Sequence, residues 1–235
     1  MNNTFNHVLE VYSKAVDFNG NNEFVGFGNP NSSILIIGQE HTLQGNDWEK
    51  FHNNNCEQWI KTLKERLRAH RWEKELGDYK FPEFFNPRNP FFPKEIDYKE
   101  SHTWFNYQKL MDVVCPHSGT TINFFDHCFI TEMSNICSTH NPQTKDVEKS
   151  IAHRFDLMKE TVDFWKHFKV VILACGPYAN AIFNKTKFPN LERELFGEEG
   201  KLIPTRQFSM VSNEEIRQIQ SVIIEKLDLV APFYF

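Results

Sequence analysis

Glycine is scarce in this chain, at 10 of 235 residues, which argues against a linker-rich or disordered polypeptide. No C-x-x-C pair occurs among the five cysteines, at 56, 115, 128, 137 and 175, and their number is odd. A disulfide framework or a zinc site is therefore not expected, and reduced thiols in a cytoplasm are. No apolar run approaches the roughly 18 residues a membrane span needs, and MNNTFNHVLE has no basic-then-apolar signal pattern. Neither export nor a membrane span is expected. A basic excess is missing too. Against 31 Asp and Glu stand 26 Lys and Arg, a net charge of −5, so global electrostatics give no support to non-specific nucleic-acid binding. Lys61, Lys64, Arg66, Arg68, Arg71 and Lys74 form a local basic stretch. Glu57, Glu65, Glu73 and Glu75 are interleaved with them, which suits a solvated helix face laced with ion pairs.

What is present is apolar and aromatic. Apolar residues make up 40% of the chain and Phe alone accounts for 23, enough for a sizeable core in a single domain over 1–235. Phe5, Val8, Leu9 and Tyr12 recur at helical spacing within 5–17. Residues 18–31 are Asn/Gly-rich and read as a loop. The continuous apolar run Ile34 to Ile37 predicts a strand covered on both faces. A helix or two is expected over 47–75. Residues 81–94, with four prolines and five phenylalanines, are expected to form an ordered aromatic loop.

Further along, a helix over 101–115 with Ser101 as cap is predicted, then a strand at 126–133 and one long amphipathic helix over 142–168. A strand at 169–175, an extended segment at 201–209 and a closing helix at 212–230 complete the pattern. Ser212 followed three residues on by Glu215 is a capping-box signature. Cys128 and Cys175 fall on expected strands and read as core residues. Strands alternating with helices predict a parallel sheet with helices on both faces. Its strand exits, at 38–42, 132–141, 175–177 and 206–209, would line one edge, where open α/β sheets bind ligands.

Four segments, NSSILIIGQE, CFITEMSNICSTHN, KVVILACGPYANAIF and PTRQFSMVSNEEI, occur in an order and spacing that resembles the uracil-DNA glycosylase superfamily over roughly 25–225. The resemblance implies a three-layer α/β/α sandwich around a short four-stranded parallel sheet. It also implies a pocket for a flipped base and hydrolysis of an N-glycosidic bond. DNA or a nucleotide would be the partner. No cofactor is implied, and the cysteines are not placed as in the iron–sulfur branch of that family, so no cluster is expected.

Carried over position by position, the motifs put Glu40 where the family has its catalytic acid. His41 and Thr42 stand where a Pro and an aromatic residue usually follow. Glu132, after Thr131 and ahead of Asn141, replaces the base-reading Asn. Arg206 takes the place of the leaving-group His, with Gln207 and Phe208 after it. Gly38 and Gln39 would line the pocket. Glu40 would stabilise positive charge on the sugar and orient water, and Arg206 would donate to the departing base. An ionised Glu132 only accepts hydrogen bonds, so it favours an amino-bearing base over uracil, while Asn135 could restore an amide. Phe91, Phe92 or Trp104 would supply a stacking face. His41 is a candidate acid or phosphate contact, and Ser209 with Met210 a candidate DNA-contacting loop. Two other readings fit the altered motifs and the acidic charge: a nucleotide- or nucleic-acid-binding module without turnover, and a hydrolase of free nucleosides or nucleotides.

Overall fold

Three short runs of β-branched and aliphatic residues set the architecture. In the computed structural model, residues 3–16, 23–38, 55–57, 59–61, 102–112, 124–134, 144–176, 190–197 and 201–229 are described. The chain opens with helix α1 (Asn3–Tyr12) and a two-residue strand β1 (Phe27–Gly28), then reaches β2 (Ile34–Gly38). Helices α2 (His102–Met111) and α3 (Phe124–His127) precede β3 (Phe129–Glu132). Helices α4 (Thr144–Glu160) and α5 (Val162–Trp165) lead to β4 (Val170–Ala174). Helix α6 (Leu191–Phe196), strand β5 (Leu202–Pro204), a 3-10 turn (Phe208–Met210) and α7 (Asn213–Lys226) follow.

The sheet is mixed and five-stranded, in the order β1-β3-β2-β4-β5. β3, β2, β4 and β5 run parallel, and β1 pairs antiparallel with β3. The expectation of a purely parallel four-stranded sheet is thus corrected by an edge strand inside the stretch read as a loop. Gly26 makes the edge possible. It adopts φ +139°, and a Cβ there would lie 2.5 Å from the Ile130 carbonyl oxygen. Asn55 fixes the approach: its Oδ1 accepts from Val25 N and Gly26 N, and its Nδ2 donates to Gly26 O.

Side chains alternate between two cores. Leu35, Ile37, Phe129, Val171 and Leu173 pack with α1, α4 and α5, whereas Ile34, Ile36, Ile130, Val170 and Ile172 pack with α2, α3 and α7. β2 and β4 are therefore apolar at nearly every position because helices cover both faces. Cys128 and Cys175 are buried free thiols, as is Cys56, while Cys115 and Cys137 lie outside the described residues. The single helix expected over 142–168 divides at Thr161. That hydroxyl donates to the Leu157 carbonyl and accepts from Trp165 Nε1, a side-chain competitor for backbone bonding.

Arg154, on α4, is 1% exposed and crosses into the sheet. Its guanidinium donates to Phe24 O, to Val25 O at 3.5 Å and to Thr131 Oγ1, and pairs with Glu23 at 3.4 Å. It also lies 4.8 Å from the centre of the Tyr12 ring. The Thr131 hydroxyl donates onward to Val25 O at 2.8 Å. One buried cation thus joins α1, the 23–25 segment, β3 and α4. Removing it leaves Glu23, itself 1% exposed, as an uncompensated buried charge. Arg154→Ala is expected to lower unfolding free energy in urea by about 3–5 kcal/mol, with Arg154→Met plus Glu23→Gln recovering most of it. A loss below about 1 kcal/mol for the alanine variant would contradict this account.

Candidate functional site

Parallel strands bring their carboxyl ends to one edge, and the register puts three of those ends in one row. Gly38 pairs with Glu132 on one side and with Ala174 on the other. The chain leaves β2 toward β3 but leaves β4 toward β5, so the connections diverge from adjacent strands. The crevice between Gly38 and Ala174 is therefore the topological switch point, where open α/β sheets hold ligands. Alternation puts Glu132, Gly38 and Ala174 on the same face as Ile36, the face that α2 covers.

Glu132 is only 6% exposed, an unusual setting for a carboxylate. Tyr107, on α2, meets the same row: its Oη would lie 4.0 Å from a Cβ built at Gly38. Burial first, then the nearby Glu132 charge, push the Tyr107 phenol well above its usual range, so it stays a neutral O–H group. The ladder continues past the strand ends, with Met133 N donating to Gly38 O and Cys175 Sγ to Ile37 O. Gly176 then takes φ +52°, a left-handed turn that glycine adopts freely.

Arg206 is placed elsewhere. It is exposed beyond β5 and grips Glu215 on α7, with Nη2 2.7 Å from both carboxylate oxygens and Nε 3.0 Å from one. Glu215 is also the acceptor for Ser212 N, completing the capping box anticipated from sequence. This pair lines a cleft of about 480 Å³ with Gly176, Ile203, Thr205, Gln218 and Val222. Glu132 is not among the cleft's described lining residues. Gln207 precedes the 3-10 turn, where Ser209 and Met210 are exposed and Phe208 is buried. Asn106 holds that turn by donating to Phe208 O at 2.6 Å.

Of the residues expected to form the site, Gly38 and Glu132 are neighbours, and Arg206, Gln207 and Ser209 stand together beyond β5. Gln39, Glu40, His41 and Asn135 lie outside the described residues, as do Phe91, Phe92 and the Trp104 side chain. Tyr107 and Ala174 were not anticipated as site residues. Tyr107 appeared only as one apolar-face position of a helix, and cross-strand register is not written in local sequence. Among the described residues no group of three His, Cys, Asp or Glu is gathered to hold a metal ion, and no helix is long and apolar enough to cross a membrane. No protein-family model matches the chain, and no curated protein sequence matches it.

The Arg206 guanidinium, followed by the Ser212 backbone and hydroxyl, lowers the Glu215 carboxyl from 4.5 to about 2. A depressed folded-state value gives stability that is present above about 4.5 and lost as pH falls toward about 2. Glu215→Gln is expected to flatten the stability–pH curve in that window, as measured by thermal melting across pH. An unchanged slope would contradict the pairing.

Proposed function

We propose that this protein hydrolyses the N-glycosidic bond of a nucleobase held in the crevice between β2 and β4, in the manner of a DNA glycosylase. The observation that carries the reading is the buried Glu132 beside Gly38 at the switch point, two residues before Glu40. The finer fold reading, a uracil-DNA-glycosylase-like three-layer sandwich, belongs to the same proposal. It is supported by the four parallel strands β3, β2, β4 and β5 and by a core on each face of the sheet.

In this reaction the C1′–N bond breaks with its electron pair leaving on the base. Water adds its oxygen to C1′, and its proton balances the departing base. Glu40 stabilises the sugar cation and orients the water, and Glu132 accepts from an exocyclic amino group. One observation favours a second reading, a nucleotide-binding module without turnover or a hydrolase of free nucleosides. Arg206 is engaged on both oxygens of Glu215 and cannot face a departing base while that pair holds.

Incubation with oligonucleotides carrying uracil, cytosine, adenine or modified bases, followed by alkali cleavage at abasic sites, separates the two. Release of an amino-bearing or modified base is expected, reduced at least about 100-fold in Glu40→Gln. Glu132→Gln is expected to shift preference toward uracil. Absence of abasic sites with every substrate would contradict hydrolysis, and nucleoside binding without oligonucleotide affinity would support the second reading.

A further inference from the structure

Gly38 ends β2 without a backbone reason to be glycine. It is not among the glycines with positive φ. Among the described residues, a Cβ there would meet nothing nearer than Thr131 O at 3.7 Å and Tyr107 Oη at 4.0 Å, both ordinary contacts. Glycine within a strand is destabilising relative to alanine, because it loses more freedom on folding. The fold would accept the methyl, yet the position lacks it.

Its neighbours extend the pattern. Ala174, opposite on β4, carries a single methyl, and Glu132, opposite on β3, carries an acid. Three adjacent strands span about 10 Å, the width of a heterocycle with its substituents. Above this floor the Tyr107 ring is wedged between Phe124 and Phe208, with centroids 5.7 and 4.9 Å away, so its hydroxyl is aimed by packing. Its Oη makes no hydrogen bond with the described residues. A tyrosine held this firmly, 5% exposed, is costly unless its O–H is used.

We infer that the volume over Gly38 and Ala174 receives the flat ring of a bound heterocycle, and that Tyr107 is a specificity-determining residue there. Its O–H donates to a ring nitrogen or carbonyl next to the N–H group that Glu132 accepts. The inference rests on the nucleobase reading above and extends it: the ligand is a planar heterocycle presenting an acceptor beside an N–H donor. Burial keeps the phenol protonated, so the donor is present across the physiological range.

The test is calorimetric titration of the full chain with deoxycytidine, deoxyadenosine and N4,N4-dimethyldeoxycytidine, which lacks the N–H. Binding of the first two and not the third is expected. Tyr107→Phe keeps the ring and its packing and should weaken binding about three- to tenfold. Gly38→Ala should weaken it at least about tenfold while melting no lower than the parent. Equal affinity in both variants, equal affinity for the dimethyl compound, or no nucleoside binding by the parent chain would each overturn the inference. Base release from oligonucleotides is scored separately. Binding that responds to these variants without base release leaves the inference standing and removes hydrolysis. Base release that ignores both variants does the opposite.

Discussion

A guanidinium buried from water must find its partners inside the protein, and Arg154 finds them in three segments at once. It bonds the Phe24 and Val25 carbonyls, the Thr131 hydroxyl and the Glu23 carboxylate. Such a cation is stable only where every partner is positioned, so the network also dictates geometry. Thr131 is the residue immediately before Glu132. Holding Thr131 on one face of the sheet fixes how Glu132 projects from the other. The candidate site therefore depends on a clamp on the far side of β3. The same clamp holds the segment that becomes the edge strand.

The edge that results has two unlike halves. At β3, β2 and β4 the row is a buried acid, a bare glycine and an alanine, under a tyrosine aimed by neighbouring phenyl rings. Beyond β5 the surface is open and its main charges, Arg206 and Glu215, satisfy each other. Glu215 is bound twice over, because the capping box of α7 uses the same carboxylate. An arginine fixed to a helix terminus in this way is a structural strut as well as a rim to the 480 Å³ cleft. The two halves meet at Gly176, which follows β4 and also lines the cleft.

Much of the scaffold was legible in the residues. Ile34 to Ile37 and Val170 to Ala174 have no polar side to turn to water, so a doubly covered strand was the only economical reading. Ser212 and Glu215 announced a helix start that the hydrogen bonds bear out. The edge strand was not legible, because two residues carry no period and Gly26 reveals its role only against Ile130. The long helix over 142–168 looked continuous because Thr161 sits on its apolar pattern, and its hydroxyl's bonding cannot be seen in spacing. Arg154 read as one more polar position of an amphipathic helix. Glu132 stood out by its neighbours in sequence, whereas Tyr107 and Ala174 became site residues only once the register placed them beside Gly38. Glu40, His41 and Asn135 lie outside the described residues.

The central claim is that the crevice over Gly38, and not the cleft beyond β5, is where a heterocycle lies. Methyl-labelled protein mixed with deoxycytidine tests it through intermolecular NOEs. The account predicts cross-peaks from the ring protons to the Ala174 methyl, with none to Ile203 or Val222. Cross-peaks confined to Ile203 and Val222, in the cleft of Arg206 and Glu215, would contradict it.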